Sequence, residues 1–138
     1  MHSDPRVWLE DDGIMRIAYP QDFHLTLDAM RSVHRLHVQI STEKRPLLVY
    51  ANSVASAEYE AQQFASSDEA VALVSGMAIV VKSFFTRAMA DIFMRFHRPP
   101  YPTRVFTAEH DAIKWLWQSF PDQVAKDADS AADHESMP

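Results

Sequence analysis

The chain has 138 residues, no cysteine, two glycines and a formal charge of −6. That length is one domain with one core, and the absence of cysteine excludes a disulfide framework, a thiol nucleophile and a cysteine-ligated zinc, which fits a cytoplasmic location. No apolar stretch approaches the ~20 residues of a membrane span, and MHSDPRVW at the start has neither the basic nor the apolar region of a signal peptide, so no membrane insertion is expected.

Residues 7–9 and 14–19 flank EDDG, whose Asp-Gly pair supplies the positive φ of a tight hairpin turn, so a short antiparallel pair is predicted. From Leu27 the period lengthens. Ala29, Val33, Leu36 and Ile40 form one stripe of an amphipathic helix, with Thr26 as its cap and EKRP at its end. LLVYA at 47–51 is a continuous apolar run, the pattern of a strand covered on both faces, and NSVAS after it reads as a loop. Ser56 is placed to cap a helix over 57–64, and Ser67, followed by Asp68 and Glu69, to cap a short turn reaching Val74. MAIVV at 77–81 is the most apolar β-rich run and the predicted central strand.

Residues 84–96 read as a helix with a wide apolar face: Phe85, Met89, Ile92 and Phe96, with Phe84, Ala88 and Phe93 beside them. RFHRPPYPTRVF at 95–106 ends it. His97 and Arg98 suit a helix C-terminus, Pro99 disfavours helix at Arg98, and Pro100 and Pro102 stiffen the exit into a strand over 103–107. Thr107 is placed to cap a last helix in which Ile113, Leu116, Trp117 and Phe120 share a face, while Trp115 cannot reach the same core spot as Trp117. A domain over 6–119 is followed by a tail over 120–138, whose five acidic groups and one lysine give it −4 of the −6 total and whose polar composition predicts disorder. The order β-β-α-β-α-β-α-β-α predicts an α/β domain: a mostly parallel sheet of about five strands, the first antiparallel, with about four helices.

That order, the hairpin VWLEDDGIMRIAY, the central MAIVVKS, the helix FFTRAMADIFMRF and above all RPPYPTRVFTAEHDAIKWL resemble the STAS-like, anti-sigma-factor-antagonist-like bacterial proteins. More narrowly, they resemble a small uncharacterised branch in which a Pro-x-Pro corner precedes a strand ending in Phe-Thr and a helix ending in Trp-Leu. The resemblance covers residues 7–117. It implies a superhelix of β-α units and a cytoplasmic, non-catalytic regulatory or binding role. Partner-switching members of that superfamily are phosphorylated on a serine in the loop after the third strand. The matching stretch here is YANSVASAEYEA, so Ser53 and Ser56 are the positional candidates. An Asp-x-Ser arrangement is common at that place, whereas this chain has Ala51, Asn52 and Ser53, and the motif does not carry over intact.

Serines at turns and helix starts also bond simply to exposed amides. His34 and His37 stand at i, i+3 on the first helix, but no H-E-x-x-H pattern or neighbouring carboxylate completes a metal site, and no metal is expected. There is no G-x-S-x-G elbow and no glycine-rich phosphate loop, so no cofactor is expected and an enzyme is disfavoured; Asp91 and Glu109 lie on separate elements.

Lys82, Arg87, Arg95, Arg98 and Arg104 make residues 82–104 locally +4 despite Asp91, either as a solvated face or as a surface for an acidic partner, including the chain's own tail. The broad basic excess of a nucleic-acid binder is missing. Phe84, Phe85, Met89 and Phe93 are the expected self-association face, pointing to a homo-oligomer, most simply a dimer, and to a protein-interaction module. The alternative is a binder of a lipid or other apolar small molecule in a methionine-rich and aromatic cleft.

Overall fold

The computed structural model describes residues 4–51, 54–82 and 100–122. Its first two strands, β1 (Arg6–Leu9) and β2 (Met15–Ala18), pair antiparallel from Arg6 opposite Ala18 to Leu9 opposite Met15. Gly13 makes the turn with φ 82° and donates its N–H to the Glu10 carbonyl at 3.0 Å. Positive φ is cheap only without a Cβ. The Asp12 carboxylate accepts the Ile14 N–H at 3.0 Å, which closes the turn from the other side.

The chain continues through β3 (Phe23–Leu25), α1 (Leu27–Ile40), β4 (Arg45–Tyr50), β5 (Val54–Ala57), α2 (Tyr59–Ala65), α3 (Asp68–Val71), β6 (Val74–Val80), β7 (Thr103–Phe106) and α4 (Glu109–Ser119). The main sheet has the order β1-β2-β4-β6-β7, with every pair after the first parallel. Its centre is β4 rather than the expected β6, although both are interior strands. The α/β class, the five strands and the antiparallel first strand are those expected from the sequence, and the described residues contain four helices.

Two short strands were not expected. NSVAS is not a plain loop: β5 pairs in parallel with β3 to form a separate two-stranded sheet. Ser56 therefore lies within a strand and does not cap a helix. Its Oγ is 2.6 Å from His24 Nδ1, and α2 starts two residues later than a Ser56 cap would require, after Glu58. The Glu58 carboxylate instead accepts the Leu27 N–H at 3.0 Å, joining the small sheet to the start of α1.

Caps at two other helices follow the sequence. Thr26 accepts the Ala29 N–H at 3.1 Å, and Ser67 accepts the Ala70 N–H at 3.3 Å. Thr107 does not cap α4; the cap position is Ala108 and makes no side-chain bond.

Each face of the sheet holds half of the core. On one, Leu48, Ala78, Val80 and Phe106 meet Ala112 and Leu116 of α4. On the other, Met15, Ile17, Leu47 and Val49 meet Val33 of α1, with Leu73 and Tyr101 closing the ends.

Two helical faces are rotated from expectation. On α1 the inward residues are Val33 and His37, while Leu36 is 40% exposed. On α4 Trp117 is 50% exposed, and Trp115 packs inward with Phe120. Gly76 on β6 admits this packing because the Phe120 ring lies where a side chain would stand; a Cβ there would come within 2.2 Å of Phe120 Cζ.

The helix expected over 84–96, the residues of the proline corner before Pro100 and the tail beyond Asp122 lie outside the described residues. Among the described residues no peptide bond is cis, and no helix is long and apolar enough to cross a membrane.

Candidate functional site: an apolar cavity beside the sheet

A cavity of about 240 Å³ lies between the α1 face of the main sheet, α1, α2 and the small β3–β5 sheet. Alternation along the strands supplies its floor: Ile17 of β2, Val49 of β4 and Ile79 of β6 are direct neighbours in register and point to the same side. Met30 and Val33 of α1 and Phe64 of α2 supply walls. No Asp, Glu, Lys or Arg lines it among the described residues.

The few polar groups in this lining are more informative than its apolar area. His37 is 4% exposed, and its Nε2 is buried without a hydrogen-bond partner among the described residues. Burial lowers its pKa to about 4, with His34 adding a smaller push in the same direction, so the ring is neutral at physiological pH.

Gln62 on α2 donates from Nε2 to the Ala57 carbonyl at 3.1 Å. That bond fixes the amide orientation and leaves Oε1 buried without a hydrogen-bond partner among the described residues. Buried polar atoms in folded proteins are nearly always satisfied. His37 and Gln62 both stand among the residues that line the cavity.

Two tyrosines bound the cavity. Tyr101, from the proline corner, is buried and donates its hydroxyl to the Ala65 carbonyl at 3.1 Å, which pins the corner to the end of α2. Burial pushes its pKa up to about 12. Tyr19 is held still more firmly in its protonated form by burial, with Tyr101 adding to the effect, and it stacks on Phe23 at 5.3 Å. His34 sets its ring edge-on to Phe64 at 5.4 Å, with Nε2 3.9 Å from Glu69 Oε2.

The expected pair His34 and His37 is thus brought to the cavity, although no group of three or more metal-ligating side chains forms among the described residues. Gln62, Tyr19 and Tyr101 were not singled out in the sequence. Their only signal there was a polar or amphipathic residue beside apolar ones, which is too common to select them.

The other face carries a polar chain of contacts. Arg16, buried in β2, makes a two-pronged bond to Asp12 with both contacts at 2.9 Å. Burial pulls the Arg16 pKa down, but hydrogen bonding and charge from Asp12, helped by Tyr50, outweigh it and leave the net shift upward. Tyr50 donates to Glu109 Oε2 at 2.6 Å and stacks in parallel with Trp8 at 6.0 Å. Its own pKa is raised, first by burial and then by the bond to Glu109.

Of the basic set, Lys82 is exposed at the end of β6, and Arg104 lies over the Phe106 and Trp115 rings at 5.2 and 5.8 Å. That stacking accounts for Arg104 without a partner. Arg87, Arg95 and Arg98, the self-association residues Phe84, Phe85, Met89 and Phe93, and Ser53 lie outside the described residues.

The architecture is that of a SpoIIAA-like, or STAS-like, domain. An uncharacterised protein of the DUF3478 family from Shewanella loihica PV-4, which has a SpoIIAA-like fold, superposes with a TM-score of 0.55 at 14% identity, over 84% of this chain and 98% of its own. At that identity the likeness speaks for the fold alone. A protein of unknown function from Arthrobacter sp. FB24 is 27% identical over 80% of this chain and 97% of its own, but its TM-score of 0.30 adds nothing about the fold. The chain belongs to the family described as a domain of unknown function, DUF7793, whose profile matches residues 7–119. No curated protein matches it.

Proposed function

We propose that this chain is a binding domain rather than an enzyme, and that it takes up an apolar small molecule in the cavity between α1, α2 and the sheet. The observation that carries this reading is the apolar lining of a cavity of about 240 Å³, with His37 and Gln62 among the residues that line it. An apolar cavity with a few oriented polar groups is the usual form of a small-molecule site. At about 240 Å³ it exceeds the ~150 Å³ of an engineered apolar cavity that binds benzene. Native mass spectrometry of the full chain, purified from its own host, tests the reading together with methyl NMR of Ile17, Val49 and Met77 titrated with octyl methyl ether. Added small-molecule mass or saturable shifts at these methyls support it. A bare chain whose methyl signals ignore the probe removes it.

The protein-interaction reading implied by the STAS-like resemblance keeps the fold as its support. Its expected self-association face, Phe84 to Phe93, lies outside the described residues. Sedimentation of the full chain at high micromolar concentration tests it, and a strictly monomeric species there removes the homo-oligomer.

A further inference from the structure

β1 ends the strand order of the main sheet, so among the described residues nothing pairs with its outer side. Glu10 continues the hairpin ladder by donating its N–H to the Ile14 carbonyl at 3.4 Å. By alternation the N–H and C=O groups of Val7 and Leu9 then point outward, away from β2. An open edge of this kind is a template for another strand. We infer that this edge is the interface of a homodimer, in which β1 pairs antiparallel with β1 of a second copy; this rests on the homo-oligomer reading above and gives it a surface.

The residues of the strand select both the occupant and the register. A two-fold pairing through the outward groups sets Val7 opposite Val7, Leu9 opposite Leu9, or Val7 opposite Leu9. Only the last places Arg6 of each copy opposite Glu10 of the other, with the two Trp8 residues facing each other between these pairs. Arg6 and Glu10 are both exposed and make no ion pair among the described residues, so the strand is complementary in charge to itself. The helix beside the edge argues the same way. α1 packs beside β1, and His34 on one of its flanks meets Phe64 of α2. Leu36 and Ile40 stand about 160° and about 120° round the helix from His34, on the flank turned away from α2 and toward the open edge. They are 40% and 41% exposed. The axis of an antiparallel β1 pair is perpendicular to the sheet, so both α1 helices lie on one side of it and these apolar flanks face each other.

Sedimentation equilibrium of the full chain and its variants tests the pairing, each variant being checked for an unchanged fold by circular dichroism. The parent should be a dimer at high micromolar concentration. Arg6→Glu and Glu10→Arg each set like charges opposite one another and should weaken the dimer about tenfold. The double variant restores opposite charges in exchanged places and should return to within about twofold of the parent. Leu36→Glu, which sets a charge on the facing helix flank, should weaken the dimer at least as much as either single charge variant. If Leu36→Glu does not fold, the charge exchange decides by itself. A parent dimer that none of these variants weakens overturns the inference, as does a double variant no tighter than the single ones. Both outcomes leave the homo-oligomer reading intact, with its interface elsewhere. A strictly monomeric parent at high micromolar concentration overturns both.

Discussion

The Tyr50 hydroxyl of β4 donates to Glu109 Oε2 at 2.6 Å, so the central strand of the sheet is tied to the first turn of the last helix, 59 residues further on. The same ring stacks on Trp8. A removal of the hydroxyl alone separates the two contacts. Tyr50→Phe should keep the stack and lower unfolding stability by about 1 kcal/mol, the ordinary net worth of one hydrogen bond in a partly solvated place. Urea denaturation with an unchanged slope checks this. A variant as stable as the parent would mean that water replaces the phenol at no cost.

Gly76 and Phe120 form a steric pair. An added Cβ at 76 meets the ring at 2.2 Å from Cζ, and the ring must leave the sheet or tilt. Gly76→Ala should therefore cost about 1–3 kcal/mol, the range for overpacking. The cost has a specific origin, so it should shrink when Phe120 is also alanine. A double-mutant cycle by urea denaturation measures the coupling, which should exceed the ~0.5 kcal/mol of independent sites. Additive effects would place the strain elsewhere.

The main sheet was legible in the sequence because each strand carries its own pattern: Asp-Gly at the hairpin, continuous apolar runs at β4 and β6, and a proline corner before β7. The small β3–β5 sheet was not. Phe23–Leu25 and Val54–Ala57 are too short to show a period, and their pairing is a tertiary event between segments some thirty residues apart. The α1 face was misjudged for a different reason. Leu36 is more hydrophobic than His37, yet a residue's polarity does not decide which side of a helix meets the sheet, and the cavity accepts an imidazole where a solid core would refuse it. The cavity itself is a deficit of packed volume, and no residue type announces one.

The caps divide the threonines. Thr26 bonds the Ala29 amide, so Thr26→Ala should destabilise the domain by about 1 kcal/mol. Thr107 occupies no cap position and makes no cap bond at α4, so Thr107→Ala should stay within about 0.5 kcal/mol of the parent. Thermal or urea unfolding of the two single variants side by side reads the contrast. Equal losses would mean that the start of α4 is held through Thr107 after all.

The neutral, buried state of His37 makes stability depend on acid. Its pKa is about 4 in the folded chain against an ordinary 6.5, so between those values the unfolded chain binds the extra proton and acid favours unfolding. This contribution is fully present above about pH 6.5 and is lost as pH falls toward 4. From about pH 7.5 to about pH 5 it amounts to a loss of about 2 kcal/mol. His34 and Tyr19 also line the cavity, and Glu69 lies near His34, so the parent's curve contains more than one group. His37→Leu isolates the part that belongs to His37. Its stability should fall less than the parent's over that interval, by about the same 2 kcal/mol, measured as urea midpoints at the two pH values. If the parent and His37→Leu lose stability in parallel, the imidazole is not held neutral by burial.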